Sequence, residues 1–124
     1  MTEIIRTERG WGGHFICANR CGFRRNTLLE LGDLRIVVSS VGAFRPNRND
    51  SIETIGLSRY YETMVFHAQW DNPYWDADVS REVCFDAPGA IDHCKFRADL
   101  EANDMHEAVV AEIAEKMRTG AITD

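Results

Sequence analysis

The residue types best suited to hold a metal ion lie close together near the start of the chain. His14, Cys17 and Cys21 follow one another at intervals of three and four residues. Imidazole nitrogen and thiolate sulfur are preferred zinc ligands, but a structural zinc site takes about four of them in a tetrahedron. The sequence contains no Cys-x2-Cys pair. We therefore expect no resident cofactor, with Cys17 and Cys84 as small apolar core groups and His14 as a hydrogen-bonded surface group. Zinc on these three residues is the alternative.

The densest basic cluster comes next along the chain. Arg20, Arg24 and Arg25 lie around Phe23, and bases interleaved with an aromatic ring can bind phosphates and stack a nucleobase. The net charge of −6 opposes nucleic-acid binding. The cluster therefore predicts a site for a small anionic ligand rather than direct binding of nucleic acid. Pairing of these arginines with surface carboxylates explains them equally well.

Aromatic and acidic residues alternate in the second half of the chain. The predicted partner-binding residues are Trp70, Tyr74, Trp75, Asp76, Asp78 and Glu82. Tryptophan and tyrosine dominate the energetics of protein interfaces, so rings that flank a polar turn predict a recognition surface. Packing of the same rings at one end of a sheet is the alternative.

The charge is unevenly divided between the two halves. Residues 1–62 hold nine arginines and seven acids, whereas residues 63–124 hold five bases and thirteen acids, a net charge of −8. A solvated face explains most of these acids. Electrostatic complementarity to a basic partner, such as a nucleic-acid-handling complex, is the functional interpretation.

Length and composition indicate one domain spanning residues 1–124. A chain of 124 residues with 44% apolar residues can bury an ordinary core. Its apolar runs fall short of the about 20 residues that cross a bilayer, so we expect no contact with a membrane. Because residues 1–16 lack a secretory signal pattern, we expect a cytoplasmic protein with reduced thiols.

Two hairpins and one helix account for most of the pattern. Residues 26–31 and 34–41 predict strands joined by Gly32-Asp33 in a type II′ turn. Residues 59–85 predict a second hairpin around Asp71-Asn72-Pro73, with a bulge or wide loop near residues 70–78. Apolar residues at every fourth position predict a helix over residues 100–118.

The remaining elements complete an α+β fold. Residues 3–7 and 14–18 predict two further strands, and Asp99 is the expected N-cap of the helix, with Asn103 as the alternative. Hairpins followed by one long helix favour an antiparallel sheet with the helix packed on one face. The second face would then be partly open, which makes a homodimer plausible.

Two stretches carry a resemblance to a known group of proteins. Residues 9–42 (RGWGGHFICANRCGFRRNTLLELGDLRIVVSSVG) and 59–83 (RYYETMVFHAQWDNPYWDADVSREV) resemble a family of small conserved bacterial and prophage-type open reading frames. The resemblance implies a phage accessory protein and assigns no catalytic residue. We therefore expect a non-enzymatic binding protein, such as an inhibitor of a bacterial defence system of the anti-CRISPR kind. A small metal- or anion-binding protein is the alternative.

Overall fold

The computed structural model describes residues 3–11, 14–47, 49–95 and 97–124. Within these ranges the chain forms a six-stranded antiparallel sheet and one long helix, which confirms the predicted α+β fold. The elements are β1 (Ile5–Glu8), a 3-10 helix (Ala18–Arg20), β2 (Cys21–Leu31), β3 (Leu34–Phe44), β4 (Tyr61–Asp71), β5 (Tyr74–Val83), β6 (Ala90–Ile91) and α1 (Ala98–Thr119). Strands β1 to β5 lie side by side in chain order, and β6 pairs with β4.

The β2–β3 hairpin has the predicted turn and register. Gly32 has a φ of +59°, while Asp33 keeps a negative φ, as a type II′ turn requires. Glu30 lies opposite Arg35, and their side chains form an ion pair at 2.9 Å. Both strands are longer than expected, because pairing continues from this turn as far as Cys21 and Phe44.

The β4–β5 hairpin has the predicted turn and a bulge, but no wide loop. Its connection is the tight pair Asn72-Pro73, joined by a cis peptide bond, so the expected wide loop near the turn is wrong. The register shifts where His67 on β4 lies opposite residues 78–81 on β5, so the structure has a bulge on β5 that begins at Asp78, the last residue of the predicted stretch. Strand β5 ends at Val83, and β6 then takes over as the partner of β4.

Helix α1 packs its predicted stripe against the sheet. Met105, Val109, Ile113 and Met117 are all buried. The expected N-caps are wrong: the helix begins after Arg97, without a side-chain cap, and Asp99 accepts a hydrogen bond from Tyr61. Gly120 ends the helix in a left-handed conformation. The described part of the chain contains no helix with the length and hydropathy of a membrane span.

Residues 14–18 form turns, so the strand expected there is wrong. Ala18 N–H donates to Phe15 O, and Arg20 N–H donates to Cys17 O, which satisfies these amides locally and leaves no ladder. The segment lies over the sheet face opposite α1, because His14 bonds to Ser39 while the neighbouring Ser40 bonds to the helix. The second face is therefore partly covered by the chain itself, and the homodimer stays a prediction.

Candidate functional site

Four aromatic rings gather where the β4–β5 hairpin turns, and we call them the aromatic tip: Trp11, Trp70, Tyr74 and Trp75. Trp11 lies 5.3 Å from Tyr74, and Trp70 lies 5.4 Å from Trp75, both in tilted contacts. Trp70 is 56% exposed and Tyr74 is 47% exposed. The Arg35 guanidinium covers the Trp75 ring at 4.3 Å. Two rings of the tip are thus supported from within while two face solvent.

Arg9 braces the aromatic tip from the opposite edge of the sheet. Its Nε and Nη2 donate to Asn26 Oδ1 at 2.9 and 2.6 Å, and its Nη1 donates to the carbonyl oxygen of Trp75. Its guanidinium also lies 4.7 Å from the centre of the Trp11 ring. One side chain therefore joins β2, β5 and the segment that precedes the 3-10 helix. Such bracing fixes the ring positions before any partner arrives.

The predicted acids of this hairpin differ in their hydrogen bonds and ion pairs. Asp76 accepts the amide hydrogen of Ala77 at 2.8 Å. Asp78 accepts from the hydroxyl and amide of Ser80, and these hydrogen bonds lower the pKa of Asp78. Glu82 has no ion pair among the described residues, and its partner on β4, Phe66, lies about 17 Å along that strand from Asp71 at the turn. Asp76 therefore lies beside the aromatic tip, while Glu82 lies in a separate region.

The three predicted anion-binding arginines do not converge. Arg20 donates to the carbonyl oxygen of Pro46 at 2.8 Å. Arg24 and Arg25 are neighbours on β2, so their side chains leave opposite faces of the sheet. Arg25 is held on the helix side by Glu107 at 2.8 Å. Pairing with carboxylates and carbonyls, rather than a shared anion, accounts for two of the three.

The predicted zinc ligands are engaged elsewhere. His14 is not a surface group: its Nδ1 lies 2.8 Å from Ser39 Oγ, its Nε2 lies 3.0 Å from Glu62 Oε1, and its side chain is only 4% exposed. The hydrogen bond from His14 is the main cause that lowers the pKa of Glu62. Cys21 is buried, which raises the pKa of its thiol, and Cys17 is half-buried. The expectation that Cys84 is a core group is wrong, because this side chain is exposed. The structure does not bring these three potential ligands together.

A different trio has metal-compatible spacing among the described residues. One ligand atom each from Glu8, His106 and Glu107 lie within 4.8 Å of one another. Both carboxylates are already bound by arginines, with Arg6 at 2.5 Å from each and Arg25 at 2.9 and 2.8 Å. A cation would have to displace two guanidinium groups, so the trio is best understood as an ion-pair network.

His106 is the functional-looking residue that the sequence reasoning missed. It is fully buried on α1, with Nε2 2.7 Å from Thr27 Oγ1 and Nδ1 2.6 Å from Ser40 Oγ. Thr27 donates to Glu8, so it must accept from Nε2–H; Ser40 then donates to Nδ1 and accepts from Thr63. Burial lowers the pKa of His106 to about 4. A histidine directly after Met105 in the buried stripe was the signal that could have revealed it.

The row Ser39–His14–Glu62 has the hydrogen bonds of a catalytic triad. Ser39 is fully buried, however, and His14 belongs to the segment, residues 14–20, that lies over this face of the sheet. Any motion that admitted a substrate would carry the base away from the hydroxyl. The row therefore serves to pin residues 14–20 onto the sheet.

Protein-family models, curated proteins and solved structures were each compared with the chain, and none of them matches. Function must therefore be inferred from geometry. Of the regions described, the aromatic tip combines exposed rings, rigid support and nearby carboxylates. It is the candidate functional site.

Proposed function

We propose that this protein is a non-enzymatic binding module that docks on a basic protein surface through its aromatic tip. The observation that carries the proposal is the exposure of Trp70 and Tyr74 on a braced hairpin. Large rings are costly to leave in water, and rings fixed in advance lose little entropy when they are buried by a partner. Such residues are typical centres of binding energy.

The chemistry of the partner follows from the charge around the tip. Arginine side chains of a partner can stack on the outer faces of Trp70 and Tyr74. Asp71, beside the turn, has no ion pair among the described residues and can receive the same cations. The acidic second half of the chain would attract a basic surface over a longer range and would repel nucleic-acid phosphates.

The biological target we propose is a bacterial defence complex, such as a CRISPR–Cas effector, in the cytoplasm of the infected cell. Proteins that handle nucleic acids present basic grooves for phosphates. An acidic module with an aromatic anchor can occupy such a groove. The resemblance to prophage-type open reading frames supports this context, in which blocking host defence is useful.

Expression of the chain in a phage-immune strain tests the proposed function. In a strain whose CRISPR–Cas system targets a phage, expression should restore plaque formation relative to a strain with an empty vector. The target is then purified and its direct binding to the chain is measured. Unchanged immunity in strains protected by CRISPR–Cas and by restriction–modification, with folded protein present, would contradict the proposal.

A further inference from the structure

An open cleft lies at the seam where β4 changes partner. β4 pairs with β5 as far as Val83 and with β6 from Ala90, and residues 84–89 loop outward between these two strands. Across the seam, Thr63 N–H donates to Gly89 O at 2.8 Å. The cleft beside it has a volume of about 650 Å³. We call it the seam cleft.

In the described part of the chain, one carboxylate of the seam cleft has no cationic partner. Arg59 lies 2.6 Å from Glu62 Oε2, and the other oxygen of Glu62 is bonded to His14. This pair is satisfied and neutral overall. Glu82 also lines the cleft and has no ion pair or hydrogen bond among the described residues. The cleft therefore has a net charge of −1, carried by an accessible group.

Five apolar side chains also line the seam cleft. Ile55, Met64 and Phe85 line it together with two alanines. The Phe85 ring lies directly against Gly89, where a Cβ would come within 2.8 Å of it, and it also packs on the core beneath α1, so it is held by two contacts. A fixed aromatic ring beside an unpaired carboxylate favours a ligand that is cationic at one end and apolar along its length.

We propose that the seam cleft binds an arginine side chain supplied by the basic partner, a proposal that rests on the function proposed above. The aliphatic stem would lie along Ile55 and Met64, which suits a long side chain with a charged head. The planar guanidinium can stack on Phe85 and donate two parallel hydrogen bonds to Glu82. Lysine offers neither the flat face nor the paired donors, so arginine is the better occupant.

Titration with N-acetyl-L-arginine amide, followed by amide shifts in two-dimensional NMR, tests the seam cleft directly. We expect saturable shifts at Thr63, Cys84 and Gly89, with a dissociation constant on the order of 1 mM for so small a ligand. Glu82→Gln should weaken binding about tenfold or more, because it removes a charge-assisted pair. Glu82 is exposed, so this change should leave the fold intact.

Two controls make the outcome decisive. Asp104→Asn removes another unpaired carboxylate, on α1 and outside both the cleft lining and the aromatic tip, and should leave the titration unchanged. The citrulline analogue keeps the shape without the charge and should bind far more weakly. Equal binding of citrulline, or an unchanged affinity in Glu82→Gln, would overturn the assignment. Binding of the arginine probe without docking on any defence complex would uphold the cleft and contradict the proposed function instead.

Discussion

Replacing His106 by alanine is expected to lower the free energy of unfolding by about 3–5 kcal/mol. The imidazole is fully buried between the hydroxyls of Thr27 and Ser40, which are themselves buried. Its removal takes away the acceptor of the Ser40 O–H and the donor to Thr27, and it leaves a cavity under α1. Urea denaturation followed by circular dichroism measures the loss.

A second substitution on the same helix provides the control for His106. Asp104 is exposed and has no ion pair among the described residues, so Asp104→Ala should change stability by about 0.5 kcal/mol or less. If His106→Ala does not fold, His106→Gln keeps a polar group in place and should give a smaller loss of stability that can be measured. A loss of stability below about 1 kcal/mol for His106→Ala would contradict the hydrogen bonds of His106 with Thr27 and Ser40.

Stability is also expected to fall as the pH is lowered from 6.5 towards 4. The folded state lowers the pKa of His106 from 6.5 to about 4, mainly through burial and also through Arg25 and Arg6, while Glu8 and Glu107 oppose the shift. The unfolded chain therefore binds a proton first. The loss disappears as the pH rises through 6.5 and reaches about 3 kcal/mol near pH 4.

The pH window separates this effect from acid unfolding by the carboxylates. Hydrogen bonding from Arg6 lowers the pKa of Glu107 to about 2, so its contribution is lost only below its ordinary pKa of 4.5. Between pH 6.5 and 4.5, His106→Gln should flatten most of the slope. A remainder is expected from His67, whose pKa is also lowered by burial. A slope in His106→Gln equal to that of the wild-type protein would refute the assignment.

Local rules account for the parts of the fold that the sequence predicted well. The Gly32-Asp33 turn and the pairing of Glu30 with Arg35 follow from turn geometry and cross-strand charge. The four-residue repeat of α1 follows from helical geometry. The turns at residues 14–18 could not be read locally, because their alternation of side chains also suits a strand. The conformation of this segment is set by the hydrogen bonds of His14 to two strands that are distant in sequence.

The candidate site was predictable in its residue types and only partly in its arrangement. Trp70, Tyr74 and Trp75 are close in sequence, so one turn suffices to cluster them. Trp11 and Arg9 join them only because the sheet brings β1 and β5 within reach of one side chain. Such long-range contacts leave no local pattern. The same reason explains why the partners of His106, which lie on two different strands, could not be foreseen.

The central claim is tested most directly by the binding of the double variant Trp70→Ala/Tyr74→Ala. The dissociation constant is measured for the defence complex that the expression experiment identifies as the target. The aromatic tip predicts affinity at least about 100-fold weaker, because two anchors of binding energy are removed together. Leu57→Ala removes an 85% exposed apolar side chain in the loop that precedes β4, at the end of the strand opposite the tip, and should stay near the wild-type affinity. Wild-type affinity in the double variant, with its thermal stability preserved, would contradict docking through the tip.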